Sequence, residues 1–454
     1  MKRTILSLTL LLLLGQYVTA QEGNSNALSL KQCVQIAVQN NVNVKTARFD
    51  KEKSKYKIDE SRAVLLPKIN LNGSFQDNVI AATTVLPAAF GKLLGGTGDQ
   101  DIAVSMGTQF SSSASINFSQ VLFNKTASLG LEISKKSSIL SELTIEKASE
   151  EIATEVAKLY FLVQTTVEQE KLIEGNISRA EKMKAITKVT VDNGVGKQID
   201  FDRVSVNLEN YHTQLSNSQA ALEQQLNMMK YLLDIPQEQS ITLTDKVDMS
   251  LIPEASVMNS DLSDHVDIKL LKSQQEMNIL NQKTIKSGFL PTVSLSGLLA
   301  LQGLKSNFKD YFSSNSKWYP YSYLNVSLSV PLFDGGEKHA KSRQATLEYQ
   351  KTEEKLESVK ESLDMGFKNA MNNFVNNKDN VSRQRQNLGL AEKVYEETSL
   401  KYREGMATMS NLLQDETSLS NAQAGFLTSL YNLKDAEVKM ISLSGDIQKL
   451  IDKK

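Results

Sequence analysis

The sequence predicts an exported protein of mixed α and β class, with one order of strands and very long helices written twice along the chain. Three observations lead there: an export signal at the N-terminus, two proline-free stretches dense in helix formers, and four segments in which apolar and small polar residues alternate.

Lys2 and Arg3 supply a positive start, Ile5 to Leu14 an apolar core broken only by Ser7 and Thr9, and Val18-Thr19-Ala20 small residues where a signal peptidase cuts. Residues 1–20 are therefore expected to be a signal peptide; the apolar run is too short to span a bilayer. Cleavage after Ala20 puts Gln21 first, so no lipid-bearing cysteine is expected there. Cys33 is the single cysteine of the chain, which excludes an internal disulfide.

With 454 residues and a net charge of −1, the chain is long enough for several domains and suggests no nucleic-acid partner. Mean hydropathy is −0.29, but membrane strands give weak hydropathy signals, so a soluble reading does not follow.

The prolines Pro67, Pro87, Pro236, Pro253, Pro291, Pro320 and Pro331 leave residues 88–235 and 332–454 without any. Both stretches run into Glu, Lys, Gln, Leu and Ala, the composition of long helices. From Glu337 to Tyr402, apolar residues recur at Leu356, Val359, Leu363, Phe367, Ala370, Phe374, Val381, Leu388, Ala391 and Tyr395, mostly in steps of three, four and seven. One seam thus faces a partner helix. A helix of roughly 65 residues measures about 100 Å, longer than a globular domain needs.

The second half rewrites the first. Asn41-Val42-Asn43-Val44-Lys45 matches His265-Val266-Asp267-Ile268-Lys269, and Leu65-Leu66-Pro67-Lys68-Ile69 matches Phe289-Leu290-Pro291-Thr292-Val293. Val121-Leu122-Phe123-Asn124 matches Pro331-Leu332-Phe333-Asp334, and Asn193-Gly194-Val195 matches Glu404-Gly405-Met406. The expected first repeat is 21–245, with a helix, strands about 68–81 and 107–122, and a long helix pair to about 235. The second is 246–454, with a helix, strands about 291–304 and 321–332, and a long helix pair to the C-terminus. Extra residues of the first copy fall in the glycine-rich loop around Gly91 to Gly98.

In the strands, Ile69, Leu71, Gly73 and Phe75 alternate with Asn70, Asn72, Ser74 and Gln76; Phe110, Ala114, Ile116 and Phe118 alternate with Ser111, Ser113, Ser115 and Asn117. Val293, Leu295, Gly297 and Leu299, then Leu324, Val326, Leu328 and Val330, repeat the pattern against Ser, Thr and Asn. One face suits lipid and the other a water-filled lumen; a soluble sandwich with the apolar face inward is the alternative. Trp318, Tyr319, Tyr321 and Tyr323 cluster at one strand start and are expected to form a membrane-interface aromatic girdle. Four strands cannot close a membrane barrel, and an open edge in lipid leaves backbone groups unpaired, so the barrel must be shared. Two chains give eight strands, a barrel filled by side chains; three give twelve and a passage, which the polar face favours.

That order of elements resembles the TolC-like outer-membrane efflux family over almost the entire mature chain. The local wording also matches at Leu30-Lys31-Gln32-Cys33-Val34-Gln35-Ile36-Ala37 with Asn40-Asn41, at Val330-Pro331-Leu332-Phe333-Asp334-Gly335-Gly336, and at Tyr402-Arg403-Glu404-Gly405. The resemblance implies a homotrimer in the outer membrane: a twelve-stranded β-barrel, four strands per chain, continued by a long α-helical periplasmic barrel. It implies an equatorial belt drawn from residues near Leu28, 236–260 and the C-terminus. The implied partners are a periplasmic adaptor (membrane fusion) protein, an inner-membrane pump of RND or ABC type, and outer-membrane lipid. The helix tips Asn193, Gly194, Val195 and Gly196, and Glu404, Gly405, Met406 and Ala407, would dock the adaptor. A periplasmic iris would draw on Asp200, Asp202, Arg203, Tyr402, Asn411, Gln414 and Asp415, with Asn411 and Gln414 standing where family members often carry acids.

Catalysis finds no support in the sequence. His212, His265 and His339 lie apart, no HExxH, CxxC or GxSxG occurs, and the glycines at 91–98 lack a phosphate-loop order, so no enzyme, cofactor or metal is expected. Two other functions stay open: an outer-membrane duct for type I protein secretion, and an exported coiled-coil adaptor or structural protein.

Overall fold

A computed structural model of the chain describes residues 26–88, 101–105, 107–244 and 262–445. The expected signal peptide, the glycine-rich loop and most of the expected 236–260 belt segment lie outside these residues.

In chain order the elements are β1 (Asn26–Leu28), α1 (Leu30–Asn40), α2 (Val42–Ala63), β2 (Lys68–Asp77), β3 (Thr83–Leu86), β4 (Ile102–Ser105), β5 (Phe110–Phe123), α3 (Lys125–Asp192), α4 (Gln198–Leu233) and β6 (Ile241–Leu243). After a short 3-10 turn, Leu262–Asp264, come α5 (Val266–Ser287), β7 (Thr292–Lys305), a second 3-10 turn at Phe308–Phe312, β8 (Tyr319–Ser329), α6 (Glu337–Arg403) and α7 (Met409–Leu443). None of the described helices is long and apolar enough to cross a membrane.

The chain divides into two compact units. The first, residues 1–50, 142–271 and 355–454, is mainly helical. Its α1 opens on a capping box: the Gln32 N–H donates to Ser29 Oγ at 3.3 Å and the Ser29 N–H to Gln32 Oε1 at 2.9 Å. Cys33, Val34, Ala37, Val44, Val156, Tyr160, Met229 and Leu233 form its largest core, with Cys33 fully buried. The Tyr160 hydroxyl donates to the Leu28 carbonyl at 3.2 Å, beside the parallel pair of β1 and β6. The seam of α6 is buried at Leu356, Leu363, Phe367, Ala370, Phe374 and Val381; those from Phe367 to Val381 pack with Phe426, Leu433 and Met440 of α7.

The second unit, residues 51–141 and 272–354, holds an antiparallel sheet in the order β2-β5-β7-β8. Among the described residues the outer edges of β2 and β8 are unpaired. The register places Leu71, Ile116, Leu299 and Ser322 side by side on one face, and Asn72, Ser115, Ala300 and Tyr321 on the other. Paired serines mark the polar face: Ser74 with Ser113 at 2.8 Å and Ser294 with Ser327 at 2.7 Å. Much of the apolar face is exposed, Leu71 at 77 % and Leu324 at 81 %. A hairpin of β3 and β4 that the sequence pattern did not announce is appended to the first strand pair.

The recurring Phe-Asn and Phe-Asp steps have a physical reason here. Asn124 Oδ1 accepts the Ala127 N–H at 3.0 Å, and Asp334 accepts the N–H groups of Gly336 and Lys338 at 3.1 Å each. Each side chain thus caps the start of a helix of 68 or 67 residues.

Candidate functional site

The functional candidates fall in two places, the turns that join the long helices and the two faces of the sheet.

The first turn follows Asp192. Gly194 adopts a φ of +74°, and the N–H groups of Val195 and Gly196 both return to the Thr190 carbonyl, at 3.0 and 2.8 Å. Asn193, Gly194 and Val195 are exposed and Gly196 half-buried. A Cβ on Gly196 would lie 2.6 Å from Thr190 Oγ1 and 2.8 Å from the Val191 nitrogen, so this turn admits only glycine there. The second turn follows Arg403. Gly405 adopts +77°, and the Met406 N–H returns to the Lys401 carbonyl at 2.8 Å. Glu404, Gly405 and Met406 are exposed and Ala407 half-buried.

Just past the turns, three helices meet. Arg203 of α4 donates to Ser410 Oγ of α7 at 2.9 Å and pairs with Asp200 at 3.5 Å. Burial raises the Tyr402 hydroxyl above the usual tyrosine range, and the negative charge of Asp200 adds to the shift, so α6 reaches the same group. Asp202 instead accepts from Gln198 at 2.9 Å and lines a shallow groove of about 390 Å³ with Ile199, Val206 and Leu413. Asn411 is engaged in capping, its N–H on Thr408 Oγ1 at 3.2 Å. Gln414, exposed, and Asp415, half-buried, lie one turn further along α7. The fold therefore gathers Asp200, Arg203 and Tyr402 of the expected iris around Ser410; Asp202, Asn411, Gln414 and Asp415 stand beside that group. Beneath it, Met183, Val204, Met409 and Leu412 form an apolar plug against Tyr395 and Tyr402.

Deeper in this unit lies a polar nest that sequence reasoning missed. Glu416 is 4 % exposed; its Oε2 accepts from Asn207 at 3.3 Å, while Oε1 finds no hydrogen-bond partner among the described residues. Burial pushes its carboxyl up to about 6, against the pull of Arg179. Arg179 lies over the Tyr395 ring, 5.6 Å from the centroid, and donates to the buried Asn176. Burial and the Glu416 charge push Tyr211 up to about 12. A signal was present: Glu416 and Gln423 interrupt the buried stripe of Leu412, Leu419, Phe426 and Leu433 on α7.

On the sheet, the expected aromatic girdle divides between the two faces. Trp318 lies over the apolar face, where its ring closes on Gly303; a Cβ there would stand 3.3 Å from the indole and 3.1 Å from the Tyr311 ring. Tyr319, Tyr321 and Tyr323 pair with Gln302, Ala300 and Leu298 and share the face of Asn325 and Ser327, opposite to Leu324 and Val326. Residues alternate sides along a strand, so these tyrosines cannot face lipid if the leucines do. The apolar face gains its aromatics from elsewhere: Phe308 of the 3-10 turn contacts Phe75, Phe110, Tyr311 and Phe312, with centroids 5.6 to 6.3 Å apart.

Comparisons with known proteins bear on the family and the fold. The family model described as outer membrane efflux protein matches residues 33–233 and 281–446. The outer membrane protein TolC of Salmonella enteritidis is 22 % identical over 447 residues, covering 94 % of this chain and 85 % of its own. Among solved structures, VceC of Vibrio cholerae superposes with a TM-score of 0.71 at 15 % identity, covering 92 % of this chain and 96 % of its own. The Campylobacter jejuni CmeC channel gives 0.73 at 18 %, with 92 % and 85 % covered.

Proposed function

The chain belongs to the outer membrane efflux protein family, the TolC-like channels, and from that premise we propose that three copies share one passage through the outer membrane. Efflux across the outer membrane is its activity; the proposal concerns how the chain accomplishes it. Four strands per copy close a barrel of twelve, apolar face to lipid and polar face to water, and the long helices form an α-helical barrel in the periplasm. The two halves, 21–245 and 246–454, act as internal repeats that each contribute one strand pair and one helix pair.

The observation that supports this reading is the sheet of order β2-β5-β7-β8, with a largely exposed apolar face and, among the described residues, two open edges. In lipid each unpaired backbone group costs several kcal/mol, a cost that closure on neighbouring copies removes. Four strands fall short of the roughly eight of the smallest membrane barrels.

The exposed turns at 193–196 and 404–407 present the adaptor contact, with an inner-membrane pump supplying energy from beyond it. Asp200, Arg203 and Tyr402, with Ser410, form the constriction, and the three copies bring three such groups around one axis. Asp202, Asn411, Gln414 and Asp415 form its rim. The test is the protein mass in detergent by light scattering, with the detergent subtracted. Three chains are expected; a monomer that needs no detergent would overturn the shared barrel.

A further inference from the structure

The polar face of the sheet changes character along its length. Toward the helix-bearing ends of β7 and β8 it shows Thr292, Ser294, Ser296, Asn325, Ser327 and Ser329. Toward the other end β8 presents Tyr319, Tyr321 and Tyr323 in succession, 53 %, 47 % and 55 % exposed. Alternate residues of a strand stand about 7 Å apart, so the rings form a ladder roughly 14 Å long. Ala300, paired with Tyr321, is 1 % exposed and gives the ladder a floor without bulk. None of the three rings stacks on another ring among the described residues, in contrast to the aromatic cluster on the opposite face.

The same face is nearly free of charge. Across β2, β5, β7 and β8 its residues are Ser, Thr, Asn, Gln, Ala, Leu, Val and Tyr, apart from Lys68 at the end far from the ladder. Exposed phenol rings carry electron-rich faces, which attract flat rings and cationic groups in water. Among the described strand residues no carboxylate stands on this face to compete for a cation; the nearest lysine along β8, the exposed Lys317, lies two residues before Tyr319 at the outer end of the ladder. A neutral serine surface lets solutes pass; a tyrosine ladder holds one chemical class briefly.

We propose that Tyr319, Tyr321 and Tyr323 form a contact strip for aromatic organic cations on the water-filled side of the barrel, near its end remote from the helices. This rests on the shared-barrel reading, in which three copies set three ladders around one passage. The strip acts by stacking and cation–π attraction, so the rings matter and the hydroxyls do not.

The test uses the trimer in a planar lipid bilayer, with tetraphenylphosphonium as probe and potassium chloride carrying the current. The wild type is expected to conduct and to show transient block by the probe. Replacing all three tyrosines by Ser should keep the potassium chloride conductance and weaken the block by about tenfold or more; replacing all three by Phe should keep the block. An unchanged block in the Ser variant, or none in a conducting wild type, overturns the ladder and leaves the channel reading intact. A wild-type trimer that does not conduct overturns the channel reading and the ladder with it. Where the triple variant fails to insert, Tyr321→Cys serves instead, since Cys33, the only native cysteine, is buried. A membrane-impermeant charged thiol reagent should label Tyr321→Cys and reduce its current, while Leu324→Cys stays unlabelled; the reverse pattern overturns the placement.

Discussion

The two helix-to-helix turns share one backbone and differ in the chemistry that follows it. In both, a glycine at positive φ ends the helix and the next N–H reaches back five residues, from Val195 to Thr190 and from Met406 to Lys401. Beyond the second turn Thr408 caps α7 with its hydroxyl on the Asn411 N–H. Beyond the first, Lys197 gives α4 no side-chain cap, and the acidic Asp200 sits in the opening turn. One helix start is held by a hydrogen bond, the other by charge against the helix dipole. The same fold can thus carry one salt-sensitive tip and one salt-insensitive tip.

The largest expected effect comes from the residues both turns lean on. Leu412, 1 % exposed, packs with Met183 and Val204 of the first hairpin and Met409 of the second. Leu412→Ala should cost about 2 to 5 kcal/mol. Hydrogen exchange should then show both tips losing protection together; loss at one tip only would mean that they are not packed as a unit.

Next is the buried acid behind the tips. Glu416 holds its proton to about pH 6 in the fold, against an ordinary value of 4.5. The folded chain therefore binds more protons between those values. The stability that this group adds is present below the lower value and lost as pH rises through about 6, a change on the order of 2 kcal/mol. Glu416→Gln should flatten this part of the stability-against-pH curve and exceed the parent in stability above it. Glu150, pushed up to about 7 mainly by burial, has the same sign and should stay visible in the variant. A parent curve rising with pH across this window would contradict the assignment.

Gly194→Ala and Gly405→Ala should each cost about 1 to 2 kcal/mol, because both need the left-handed region. Equal losses in proteolysis or exchange at the two turns would support the common backbone; a neutral Gly405→Ala would break it. The smallest effect separates the caps. Thr408→Ala should cost about 1 kcal/mol, whereas Lys197→Ala should leave local exchange unchanged because no cap is lost.

Much of this is legible in the sequence. The α6 seam could be read from steps of three, four and seven, and Phe374 and Val381 are indeed 1 % exposed. The tip glycines were legible because a left-handed residue between two helices has few other solutions. The side taken by the tyrosines was also readable, since Tyr323 shares the parity of Asn325, and alternation assigns a face that aromatic composition does not. The Phe308–Phe312 turn and the β3–β4 hairpin were not legible, because neither carries a period long enough to recognise.

Local pattern sets the class of the main elements, their order, the two-faced strands and the helix-to-helix turns, because each depends on residues within a few positions of one another. Which helices converge is settled by long-range packing. Arg203 meets Ser410 across 207 positions and Asn207 meets Glu416 across 209. No local period records such distances. They follow from packing long seams together, and burial then sets the charge of whatever polar group the seam encloses.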